Sequence, residues 1–143
     1  MFGIFKSKEK RICDVVGKII HTQISLALKE NKEVFNRPEE IVFFSQYLTY
    51  FIWNIAANFN AVGKWTTEEE YKKYICEGVI PGRLWEIYQR YEAMKELSES
   101  AGFDMKSIEE LAVGAAVYDA LHVDRNPDGL YRYLTNKDVK TYE

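Results

Sequence analysis

The side chains best suited to chemistry gather near the C-terminal end of the sequence. Asp124-Arg125-Asn126-Pro127-Asp128-Gly129 fits the D-x-N-x-D-G opening of a calcium loop. Oxygens at the first, third and fifth positions would converge on a hard cation, and the glycine would make the sharp turn. The closing ligand is missing, because the twelfth position is Thr135 where a bidentate glutamate belongs. Pro127 also stiffens the loop where it must wrap the ion. A turn and helix cap account for the same residues, so no metal is expected there. Just upstream, Asp119 and His122 form a D-x-x-H pair. Di-iron bundles use E-x-x-H twice, with a glutamate from each of two further helices. One pair, with Asp for Glu, falls short of that, and a partly buried structural histidine is the simpler reading.

Other chemistries find less support. Cys13 and Cys76 form no C-x-x-C pair. The first residues hold too short an apolar run for a signal peptide, so both cysteines read as reduced thiols in a cytoplasmic protein. No G-x-G-x-x-G or P-loop occurs, so the usual phosphate cradle is missing and no cofactor is expected. No Ser–His–Asp or Cys–His set can be assigned. The carboxylates mostly fall on wet helix faces or at caps, which leaves no candidate catalytic acid or base.

Charge is uneven. Residues 1–37 carry eight basic and four acidic side chains, whereas residues 66–124 carry six basic and thirteen acidic. An acidic domain without a basic stripe is a poor nucleic-acid binder. Phe2, Ile4 and Phe5 adjoin Lys6, Lys8, Lys10 and Arg11, a pairing that suits an anionic membrane surface. The segment is short, however, and a flexible end folded back on the bundle is the reading preferred over membrane contact.

The elements that must position these residues are helices. A length of 143 residues with 15% aromatic content suits one domain with a well-filled core. Ile12, Val15, Val16, Ile19, Gln23, Leu26 and Ala27 recur at helical spacing and predict a first helix over residues 9–31, with His21 on its wet side. Pro38 opens a second helix, to about Phe59, with Glu39 and Glu40 at the positive end of its dipole. Ile41, Phe44, Leu48, Phe51, Ile52 and Ile55 form one face and Phe43, Tyr47, Tyr50 and Trp53 another. That helix is therefore placed at the centre, with Trp53 in the core. Residues 41–63 are uncharged and long enough to span a bilayer, but Gln46, Asn54, Asn58 and Asn60 favour a core helix.

Thr67-x-x-Glu70 is a capping box that opens a short third helix, stopped by Gly78. Pro81 opens a fourth, with a buried stripe of Leu84, Ile87, Tyr88, Tyr91, Met94 and Leu97, stopped by Gly102. Asp104 caps a fifth helix with Phe103 and Ile108 as its staple, and Ser107 offers a competing cap. Ala112, Gly114, Ala115 and Ala116 allow that helix to approach a neighbour closely, and the second helix is the candidate. Residues 126–129 fit either a hairpin turn or a helix capped by Asn126 with Pro127 first, and the helix is favoured. Residues 1–8 and 136–143 read as flexible ends.

The expected fold is an all-α, single-domain bundle of five to six helices around a buried second helix. Two function classes fit. One is a non-catalytic interaction module that docks a protein partner or a copy of itself. Its candidate interface is Trp65, Trp85, Tyr131 and Tyr133, since aromatic residues dominate binding hot spots. The alternative is a small-molecule-binding bundle whose interior uses Tyr47, Asn54, Asn58 and His122.

Overall fold

The computed structural model of the protein describes residues 7–58, 86, 89–100, 102 and 104–141, with side chains of the first two helices described from Asp14 to Ile55. Five α-helices and no strand occur among these residues: α1 (Ser7–Glu30), α2 (Pro38–Asn58), α3 (Tyr91–Ser100), α4 (Met105–Leu121) and α5 (Gly129–Leu134), with a 3-10 turn at Val123–Arg125 before the last. The protein is an all-α bundle in which α2 packs against each of the other four helices. Trp65, Trp85, the capping box at Thr67, the glycine stop at Gly78, Cys76, Phe103 and the aromatic N-terminus lie outside the described residues.

Helix α1 buries Val16, Ile20, Gln23, Ile24 and Ala27, and leaves Val15 and Ile19 half-buried. Leu26, expected on the buried stripe, is 45% exposed. The true face is turned by about 60° from the expected one at about 100° per residue. Ile20 and Ile24 define it, and a stripe this broad admits both phases. His21 is exposed, as its position opposite the stripe implied.

Helix α2 starts at Pro38, where the missing N–H costs nothing. Its entry is shaped by Glu40, which is 1% exposed. Glu40 Oε1 accepts from the N–H groups of Phe35 (3.0 Å) and Arg37 (3.4 Å), and Oε2 receives Arg37 Nη2 at 3.2 Å. A side chain reaching back to the residue before the helix is half of a capping box, and it holds Phe35 in the left-handed region at φ 74°. The first apolar face of α2 is buried throughout, from Ile41 to Ile55. The second face divides. Phe43 and Tyr47 are fully buried, whereas Tyr50 is 39% and Trp53 45% exposed. Trp53 is therefore a surface residue and not part of the core. It stands about 180° from Phe44 around the helix, and no described element covers it as α5 covers Phe43.

Helix α4 makes the most extensive contact with α2. Ala112, Ala115, Ala116 and Ala120 are buried on that face, so the small side chains do allow the close approach expected of them. Asp104 is its N-cap, accepting from Ser107 N at 3.1 Å, and the competing cap at Ser107 is not used. Gly102, at φ 88°, takes the left-handed turn that follows α3. Leu97 on α3, expected in the buried stripe, is 61% exposed. The inward face of α3 is marked by Lys95, whose Nζ reaches Glu109 Oε2 of α4 at 3.1 Å, and Leu97 lies about 200° round from it.

Residues 126–129 lead into a helix, as favoured, but two residues later than expected. Asp128 is the N-cap and Asn126 turns the chain in the left-handed region at φ 56°. Leu130 and Leu134 are fully buried against the bundle. The polar segment after α5 is tied down: Arg37 Nη2 reaches Asn136 Oδ1 at 3.2 Å, Lys137 Nζ reaches Glu30 Oε2 at 2.9 Å, and Val139 packs on the core.

Candidate functional site

Among the described residues, the most organised polar group is buried where α1, α2, α4 and α5 meet. Tyr47 from α2 donates its hydroxyl to Asp119 Oδ2 on α4 at 2.6 Å. Gln23 from α1 donates Nε2–H to the Tyr47 oxygen at 3.0 Å. The backbone closes both ends. Gly129 N–H donates to Asp119 Oδ2 at 2.8 Å, and Tyr131 N–H donates to Gln23 Oε1 at 2.9 Å. The first N–H groups of a helix have no partner within it. Here two of them, at the start of α5, are met by side chains of other helices.

The chain of donors runs in one direction, from Tyr131 through Gln23 and Tyr47 to Asp119. Such chains polarise one another in a dry interior, and each member left unpaired would be costly. Burial pushes the Asp119 carboxyl above the ordinary carboxylate range, against the pull of the Tyr47 and Gly129 donors. Burial, with Asp119 beside it, raises the Tyr47 phenol well above its usual value. At neutral pH the tyrosine is the donor and the aspartate the acceptor. The arrangement therefore fastens helices together rather than activating a nucleophile, since Tyr47 is fully buried and its hydroxyl both donates to Asp119 and accepts from Gln23.

Close packing fixes the register. A Cβ on Gly129 would lie 2.7 Å from Asp119 Oδ2 and 3.2 Å from Ala115 Cβ, so the backbone of α5 reaches the carboxylate only because this residue has no side chain. Tyr133, one turn along from Gly129, lies flat on Phe43 with ring centroids 4.0 Å apart and planes 4° apart. Burial pushes its phenol up to about 12.

Of the proposed ligand-binding residues, the three whose side chains are described each have their own partners. Tyr47 is committed to the network. Asn54 donates to Tyr50 O on its own helix at 2.7 Å. His122 sits at the end of α4, its ring on Tyr118 (4.3 Å) and Nδ1 2.8 Å from Tyr118 O. It acts electrostatically on Asp119, the acceptor of the Tyr47 hydroxyl. The side chain of Asn58 lies outside the described residues. Of the proposed interface residues, Tyr131 and Tyr133 are half-buried and packed on the core. Asp128, in the loop that resembles a calcium opening, pairs with Arg132 Nε at 2.8 Å. Among the described residues no group of three or more potential metal-ligating side chains occurs.

Gln23, Asp119 and Gly129 carry this centre, and the sequence offered a signal for each without joining them. Gln23 interrupts an apolar stripe. Asp119 follows Ala115 and Ala116 on the same small-residue face. Gly129 completes a calcium-like motif in a stretch that fits either a hairpin turn or the favoured helix start. What no pattern in the sequence supplied is that four separate helices meet at one point. Elsewhere, an open cleft of about 560 Å³ runs past Arg37, Leu111, Tyr133 and Val139. Among the described residues no helix is long and apolar enough to cross a membrane. No family model, curated protein or solved structure matches this chain.

Proposed function

We propose that the protein is a non-catalytic helical interaction module, acting in the cytoplasm, that docks a protein partner or a second copy of itself. The observation that supports this reading is the outer face of α2 near its C-terminal end. Tyr50 and Trp53 stand one turn apart there, 39% and 45% exposed, on a helix whose other apolar side chains, among those described, are covered. Aromatic side chains on a rigid, well-packed helix are well suited to serve as hot spots, because little entropy is lost when they are buried. The uneven charge of the sequence offers a second handle for orienting a partner.

Sedimentation equilibrium at micromolar concentration tests the self-associating form. A reversible oligomer that Trp53→Ala and Tyr50→Ala together dissolve, with helicity unchanged, is the expected result. A monomer at every concentration, or an oligomer indifferent to both substitutions, removes that form.

Small-molecule binding stays as the second reading, and its seat would be the cleft beside Tyr133. Its size falls within the range of ligand sites, but Arg37 and Lys137 on its wall already bond to Glu40, Asn136 and Glu30.

A further inference from the structure

Asp119 poses a physical question that fastening helices alone does not answer. The side chain is 3% exposed, and among the described residues no Lys or Arg forms an ion pair with it. Burying an ionised carboxylate without a cation is costly, and two hydrogen bonds offset only part of it. Both donors, Tyr47 Oη–H and Gly129 N–H, converge on the same oxygen, Oδ2. An uncharged side chain with one carbonyl oxygen would serve both donors equally well. The negative charge is therefore superfluous to the geometry that holds α5.

The same convergence has a consequence for protonation. A proton placed on Oδ1 displaces neither donor, so the neutral carboxyl keeps both bonds to Oδ2 and sheds the cost of the buried charge. The groups facing this carboxyl are Tyr47 from α2, the uncharged Gln23 beyond it from α1, Asp128 from the loop before α5, and His122 one turn along α4. Asp128 makes the charge less welcome and His122 makes it more welcome, while burial outweighs both.

We propose that Asp119 is a proton-linked latch for α5: taking up a proton at Oδ1 tightens the seat of α5 on the bundle, and releasing it loosens that seat. When α5 lifts, the carboxylate meets water and the penalty on its charge disappears. The docked state thus holds the proton more tightly than the open one. Its extra stability is full below the ordinary value of 3.8 and is lost as pH rises through the raised value. Every unit by which the docked midpoint exceeds the open one appears as about a tenfold change in the docking ratio.

The test pairs a titration with a substitution. The carboxyl carbon of Asp119 is followed by NMR in the unaltered protein, and amide exchange at Gly129 and Tyr131 is measured across the same pH range, corrected for the intrinsic rate. Asp119→Asn, which keeps one acceptor oxygen and cannot ionise, is compared by urea unfolding. The expected result is a midpoint above 3.8, amide protection that falls as the carboxyl ionises, and an Asn variant whose advantage over the native chain grows with pH. A midpoint at or below 3.8 overturns the latch, even if the Asn variant fails to fold. So does a stability difference that stays flat with pH, which is all that a purely structural aspartate would give.

Discussion

Asp104 and Asp119 stand near the two ends of α4, and their surroundings set opposite responses to pH. Asp104 caps the helix at its exposed start, and the Ser107 hydroxyl and N–H hold its carboxyl below the ordinary range. Its contribution is present above the unfolded value and is lost as pH falls through the folded one. Asp104→Ala should therefore lower the melting temperature at neutral pH and make little difference in strong acid, measured by circular dichroism at both ends of the range. Gly129 belongs to the opposite end. Gly129→Ala should cost about 1–3 kcal/mol in urea unfolding, because the new methyl forces Asp119 Oδ2 away from the N–H it accepts and leaves buried groups unpaired. A substitution that leaves stability unchanged would mean that α5 can shift without loss.

At the scale of the helix, the sequence revealed periodicity better than phase. The starts of α2 and α4 were legible because Pro38 and Asp104 act locally, through one missing N–H and one carboxylate. The small-residue face of α4 was legible because Ala112, Ala115 and Ala116 share one side. Trp53 and Leu97 were misplaced because an apolar residue on a second face is buried only if another element covers it, and no residue in the helix itself says whether one does. That difference is measurable. Phe44→Ala should cost about 3–5 kcal/mol, and Trp53→Ala on the order of 1 kcal/mol or less. Equal losses would place the Trp53 ring in the core after all. Ala116→Leu tests the α2–α4 contact: the residue is fully buried, and three added carbons should cost about 1–3 kcal/mol or more.

The whole molecule is closed by its C-terminal segment, and this is where the sequence was least informative. Leu130, Leu134 and Tyr133 follow a turn-like motif, and nothing local shows that they cover the Phe43 and Tyr47 side of α2. Tyr47 and Tyr133 both sit on that junction, one bonded to Asp119 and the other stacked on Phe43. Both phenols are raised, Tyr133 to about 12 from an ordinary 10.0. A phenol whose folded value is raised supports the fold fully below its unfolded value and ceases to as pH climbs through the folded one. The junction should therefore weaken between roughly pH 10 and 12, the interval set by the ordinary and raised values of Tyr133. Melting temperature followed by circular dichroism from pH 8 upward should fall across that interval. Tyr133→Phe keeps the ring on Phe43 and removes the ionisable group, so its decline should be shallower than that of the native chain. The remainder should come largely from Tyr47, whose phenolate would be forced beside the Asp119 carboxylate. A Phe variant that declines in parallel with the native chain would show that the Tyr133 hydroxyl is hydrated in the folded state and that α5 lies less closely on α2 than its stacking on Phe43 requires.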